Sequence, residues 1–235
     1  MSATLRERPS PNHDARPPGQ AIDILLLHYT GMKTAAAALD RLADPAARVS
    51  AHYLVEEDGA VWRLVAEDRR AWHAGVSHWA GATDINARSI GIEIVNPGHE
   101  FGYRPFPEPQ MAAVERLARE ILGRHPVPRH RVLGHSDVAP SRKEDPGELF
   151  DWPRLARAGV GIWPRKPPAP LAWSPGEAQA ALGRFGYGVP QSGRLDAETR
   201  AVVTAFQRHF RPAALSGEPD AECCGILAAL LAEIG

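Results

Sequence analysis

Two short apolar runs constrain the fold more than anything else in this chain. Asp23-Ile-Leu-Leu-Leu-His28 is continuous, and Ser89 to Val95 alternates isoleucines with Gly91, Glu93 and Val95. A continuous run of this length suits a strand covered on both faces. The alternating run puts Ile90, Ile92 and Ile94 on one face and the Glu93 carboxylate on the other. Between and after them lie helical patterns. Thr34 can cap a helix from Ala35 to Leu42 that Pro45 would stop. Pro107 and Pro109 open a helix with Met111, Val114, Leu117, Ala118, Ile121 and Leu122 on one side, which Gly123 can end. His52 to Val65 reads as a β-hairpin turning at Asp58-Gly59. Strands mixed with helices over residues 21–163 predict an α/β domain, a mixed central sheet flanked by helices.

The proline-rich segment Pro164 to Pro170 (PRKPPAP) is the best linker, and residues 164–172 are taken as the boundary. Residues 173–235 read as a small three-helix unit. Ser174-Pro-Gly-Glu177 has capping-box spacing, Gly186-Tyr-Gly188 breaks the chain, and Asp196 can cap a second helix. The third helix carries Cys223 and Cys224 among apolar residues. Adjacent cysteines do not easily form an unstrained disulfide, so buried reduced thiols are expected. A cysteine-based zinc site is excluded because the chain has no other cysteine.

Residues 1–20 are polar and rich in Pro and Arg, and are expected to form a mobile arm and not a signal peptide. No apolar run is long enough to span a bilayer. A formal net charge of -1 offers no attraction to nucleic acid or an anionic membrane. A soluble, cytoplasmic, monomeric protein is the expectation.

Chemistry concentrates at a few polar residues inside or just after apolar runs. His28 closes the first strand, where ligands gather in α/β sheets. His135 ends Val132-Leu133-Gly134 in the same manner. A catalytic zinc site takes three protein ligands and keeps one position open. Ser141 to Gly147 supplies a nearby carboxylate, Asp145, although a plain Pro-Gly turn would also explain that residue. Glu93 is a lone acid in an apolar strand. It is either a general base or half of a buried ion pair with Arg88 or Arg63.

The strings LLLHYT, SAHYLV, AWHAG, SIGIEIVN and GHSDVAPSRKEDPG occur in that order. Together they resemble the zinc N-acetylmuramoyl-L-alanine amidases of the amidase-2 type, related to peptidoglycan recognition proteins. The LHYT start looks more like the AmiD branch than the AmpD branch. FGY, SGRLDAETRAVVTAFQ and the final apolar helix resemble a peptidoglycan-binding type 1 domain. The resemblance implies metal ligands at His28, His135 and Asp145, with Asp145 preferred to Glu144 by the Asp-Pro-Gly pattern. It implies a catalytic glutamate at Glu93 and a catalytic lysine at Lys143. Tyr29 and His52 would shape the metal shell, and Trp72, His73 and Trp79 would line a substrate cleft. One zinc ion per chain would activate water to cut the lactyl–L-alanine amide of muropeptides, in cell-wall recycling on 1,6-anhydro fragments. A non-catalytic sensor on the same fold and a zinc peptidase of another class are the competing readings. The intact ligand set speaks against the sensor.

Overall fold

A computed structural model describes residues 5–164 and 168–235, so Arg165 to Pro167 of the linker lie outside the described residues. Its elements run β1 (Leu5–Glu7), β2 (His13–Ala15), β3 (Ile24–Tyr29), α1 (Ala35–Ala43), β4 (Tyr53–Val55), β5 (Val61–Arg63), β6 (Arg69–Ala71), α2 (Ile85–Arg88) and β7 (Ser89–Ile94). They continue with α3 (Gly98–Phe101), α4 (Glu108–Arg124), β8 (Val132–Gly134), α5 (His135–Val138), α6 (Trp152–Arg157), α7 (Pro175–Phe185), α8 (Ala197–Phe210) and α9 (Ala221–Ile234).

The main sheet has the order β1-β5-β4-β7-β3-β8. Its pairs are parallel except for the antiparallel β4–β5 hairpin. The apolar runs take the central positions because both of their faces are covered. Leu25 and Leu27 of β3 pack with Ile90, Ile92 and Ile94 beneath α4, against Met111, Val114, Leu117 and Ile121. Ile24 and Leu26 face the other way, into a core built with Leu182, Phe185, Phe206 and Leu227 of the C-terminal helices. The second face of β3 is thus covered by α5, which packs against α8, within a core that α7, α8 and α9 complete.

Local signals set the helix ends. Thr34 caps α1 through the Ala37 amide. Ser174 and Glu177 form a full capping box on α7. Asp196 and Asp220 cap α8 and α9. Gly123 does not stop α4, which runs to Arg124 and ends when the His125 amide bonds back to the Ile121 carbonyl. Cys223 and Cys224 are buried free thiols, and burial pushes the Cys223 thiol up to about 12.

The N-terminal segment is not a mobile arm in its described part. β1 adds to the sheet edge beside β5, and β2 pairs with β6. Just after β2, Arg16 anchors the chain, because its guanidinium donates to the carbonyls of Glu67, Asn86, Ala87 and Ser89. Composition suggested mobility, but main-chain pairing and one forked side chain supply the order.

Glu67 is a polar hub at the far end of the sheet from β3's C-terminus. Burial would raise its pKa, but donors on Arg124, His125 and Tyr53 overcome this and bring it down to about 2. A depressed carboxyl contributes stability above its unfolded pKa near 4.5, and that contribution is lost as pH falls toward about 2. The drop in melting temperature between those pH values is therefore expected to be smaller in Glu67→Gln than in wild type. Equal drops would remove this account of the hub.

Candidate metal centre

Three chain segments bring one ligand each to the C-terminal edge of the sheet. His28 lies near the end of β3, and in the register of the β3–β7 pair it stands beside Glu93. His135 starts α5 directly after β8. Asp145 lies on the loop beyond α5. The Ser136 amide donates to the Asp145 carbonyl at 2.9 Å, which ties that loop to the start of α5.

His28 Nδ1, His135 Nδ1 and Asp145 Oδ2 lie 3.0 Å from one another in each pairing. The three residues are 1%, 4% and 5% exposed. Burial, then the neighbouring His135, pushes the His28 imidazole down to about 4, so it is neutral at pH 7. Although burial opposes it, the pair of imidazoles holds the Asp145 carboxyl well below the usual range. The site thus offers two nitrogen lone pairs and one carboxylate oxygen.

A second layer sets which nitrogen faces inward. Ser89 Oγ donates to the Ile85 carbonyl at 2.7 Å, so it accepts from His73 Nε2 at 3.2 Å. His73 Nδ1 then accepts from His28 Nε2 at 3.0 Å, leaving the His28 Nδ1 lone pair toward the other ligands. His135 Nε2 donates to the Ala74 carbonyl at 3.0 Å, with the same result for its own Nδ1. Such partners are what orient metal-ligating imidazoles. Gly91 makes room for the relay, since a Cβ there would stand 2.6 Å from His73 Nδ1.

Two imidazoles and a carboxylate converging at this spacing suit a small divalent cation. Zinc bonds of about 2.0–2.2 Å in a tetrahedron put donors about 3.3–3.6 Å apart, a few tenths of an ångström wider than the 3.0 Å the site presents. Glu93 gives a second indication. Its Oε2 is buried and has no hydrogen-bond partner among the described residues. Neither proposed ion-pair partner reaches it, because Arg88 holds Asp23 and Arg63 holds Glu7. Burial, then the Asp145 charge, raises the Glu93 carboxyl well above its ordinary value, while Lys143 pulls it back.

These groups open into a cleft of about 810 Å³ lined by Tyr29, Lys33, Arg41, Trp72, Phe101 and Lys143 among others. Of the residues expected to shape the metal shell or line the substrate cleft, Tyr29, Trp72 and His73 line it. His52 does not. It is wholly buried, accepts from the Gly91 amide through Nδ1 and meets the Arg69 carbonyl through Nε2. Trp79 does not either. It is 1% exposed and packs on Gly186 and Tyr187 of the C-terminal unit. His52 sits in the SAHYLV string and Trp79 four residues past AWHAG, but their rings fill core behind the cleft. Ser89, Ala74, Lys33 and Arg41 were not legible. A backbone carbonyl leaves no residue signature, and loop cations resemble ordinary surface.

The chain matches the family model for N-acetylmuramoyl-L-alanine amidase over residues 18–148, which include His28, Glu93, His135 and Asp145. The chain belongs to this amidase family. Residues 175–227 match the model for a putative peptidoglycan binding domain. The N-acetylmuramoyl-L-alanine amidase AmiD of Escherichia coli (strain K12) is 38% identical, and the match covers 91% of this chain and 84% of that protein. A structure of the E. coli AmiD in complex with the substrate anhydro-N-acetylmuramic acid-L-Ala-D-gamma-Glu-L-Lys superposes with a TM-score of 0.82, 36% identity and coverage of 94% and 93%. AmpDh3 of Pseudomonas aeruginosa, in complex with anhydromuramic pentapeptide, gives a TM-score of 0.79 and 34% identity over 93% and 94% of the two chains. The amidase is thus matched through both its catalytic and its C-terminal parts. No helix among its described residues is long and apolar enough to cross a membrane.

Proposed function

We propose that this amidase hydrolyses the amide between the lactyl group of N-acetylmuramic acid and L-alanine in soluble muropeptides, preferring the 1,6-anhydro sugar, as a step in cytoplasmic cell-wall recycling. The observation that carries the reading is the buried His28–His135–Asp145 tripod with the unpartnered Glu93 oxygen beside it in an open cleft. The anhydro sugar is supported by the two similar structures, whose bound molecules are anhydromuramyl peptides.

Zinc is the metal proposed for the tripod, held by His28, His135 and Asp145. When bound, it supplies a Lewis acid that polarises an amide carbonyl and lowers the pKa of water toward about 7. The protein's own residues do the rest. Glu93 accepts a proton from the attacking water as oxygen adds to the lactyl carbonyl carbon. The Lys143 side chain lines the cleft, while its backbone amide is held by the Ala139 carbonyl. Its ammonium balances the developing oxyanion. Glu93 then passes its proton to the alanine nitrogen as the C–N bond breaks, releasing the free lactyl acid and an intact peptide amine. Trp72 and Tyr29 form the wall against which sugar or peptide rests.

A second reading, action on intact sacculi, is favoured by the peptidoglycan-binding match at residues 175–227. Mass spectrometry of products from a defined anhydromuramyl tripeptide and from purified sacculi separates the two. Free anhydromuramic acid and intact tripeptide, with sacculi left uncut, are the expected result. Cleavage of sacculi alone would overturn the recycling role, and cleavage of neither would overturn the enzyme reading in favour of a sensor.

A further inference from the structure

Asp137 is where the C-terminal helices reach the metal centre. It lies on α5, two residues after His135, and its side chain is completely buried. A buried carboxylate is costly unless donors surround it. Asp137 has three. Oδ2 accepts from the Gly134 amide and from His209 Nδ1, each at 2.7 Å. Oδ1 accepts from the Tyr187 hydroxyl at 2.5 Å. Gly134 is local, but Tyr187 follows α7 and His209 lies on α8. The His209 ring is itself held flat against Trp152, with centroids 3.7 Å apart.

What Asp137 closes is the turn that carries the ligands. His135 sits inside it, and the Ser136 amide clamps the Asp145 backbone from the same turn. The turn has no slack on that side, since a Cβ on Gly134 would stand 2.7 Å from Pro146 Cδ. A displacement at Asp137 is therefore passed to two of the three ligands.

We infer that Tyr187 and His209 are positioning residues for the metal centre: by holding Asp137, the C-terminal helices set the placement of His135 and Asp145, a task separate from any contact with peptidoglycan. The inference rests on the reading of the tripod as a metal site, and its readout is metal affinity, not cleavage. Completing the core on the second face of β3 is a different, purely structural service of the same helices, and the two are separable. Tyr187→Phe keeps the ring packed on Trp79 and removes only the donor. Gln179→Leu does the reverse. Gln179 bonds Ser192, Thr199 and the Arg194 carbonyl inside the C-terminal unit and does not touch Asp137.

The test is competition of the full-length chain with a chromophoric chelator for zinc at neutral pH, with the melting temperature of each metal-free variant measured alongside. Tyr187→Phe and His209→Phe, which keeps the ring stacked on Trp152 and removes the Nδ1 donor, are expected to weaken zinc binding by about 10–100-fold, the usual cost of losing an outer-layer partner. Gln179→Leu is expected to lower the melting temperature and leave zinc affinity unchanged. Zinc affinity within about twofold of wild type in both Tyr187→Phe and His209→Phe would overturn the inference. So would an equal loss of affinity in Gln179→Leu, because then stability alone explains it. If wild type takes up no zinc, the metal reading itself falls and the inference falls with it.

Discussion

Glu93→Gln is expected to lower kcat by about 10²–10⁴-fold, the usual contribution of a positioned general base. Zinc uptake and the fold are expected to be retained. The substitution keeps the shape of the side chain and removes only its capacity to take a proton. The buried Oε2 has no hydrogen-bond partner to lose, and the Lys143 charge offsets only part of the cost of burying the carboxylate. The same fact gives a second, opposite effect. Burial raises the folded-state pKa well above 4.5, so between those values the native state binds more protons than the unfolded chain. Stability contributed by this group therefore falls as pH rises through that window. At neutral pH the metal-free Glu93→Gln protein should melt at a higher temperature than metal-free wild type, and the gain should vanish below about pH 4. Loss of activity with a gain of stability is the signature of a residue kept for chemistry. If the variant keeps near wild-type kcat, Glu93 is not the base. If it loses both activity and stability, Glu93 is holding the structure after all.

Much of this centre was legible because its polar residues interrupt apolar runs. His28, Glu93 and His135 stand in or beside buried strands, where a polar side chain needs a reason. Sequence could propose an ion pair for Glu93, and only the positions of Asp23 and Glu7 remove it, since they occupy Arg88 and Arg63. The central sheet was legible for the same reason, from the periods of β3 and β7. The relation between the two parts of the chain was not. PRKPPAP suggested a boundary, yet Ile24 and Leu26 share one core with Phe185 and Phe206. A continuous apolar strand announces that both faces are covered but not what covers the second. Trp79 was misplaced on that account: its cover comes from residues more than a hundred positions later, at Gly186 and Tyr187. The N-terminal segment was misread because strand pairing uses backbone groups, which composition does not report.

Asp145→Asn should reproduce in the fully supplied protein what a chelator does to wild type. Asparagine fills nearly the same volume but brings no negative charge to the two imidazoles. Zinc affinity is expected to fall by more than about 100-fold, beyond the range typical of outer-layer changes. Activity should fall by about 10³-fold or more, the rate equivalent of several kcal/mol of lost transition-state stabilisation. Thermal melting gives an independent measure. A ligand that binds only the folded state at about a thousand times its Kd adds about 4 kcal/mol of stability. Wild type should then melt lower when zinc is stripped, and Asp145→Asn should melt at the same temperature with and without the chelator. The three measurements are linked by one equilibrium, which makes disagreement among them informative. A chelated wild type that still cleaves would remove the metal from the chemistry. An Asp145→Asn variant that still shows the zinc-dependent melting shift would move the third ligand elsewhere, with Glu144 the nearest other carboxylate in sequence.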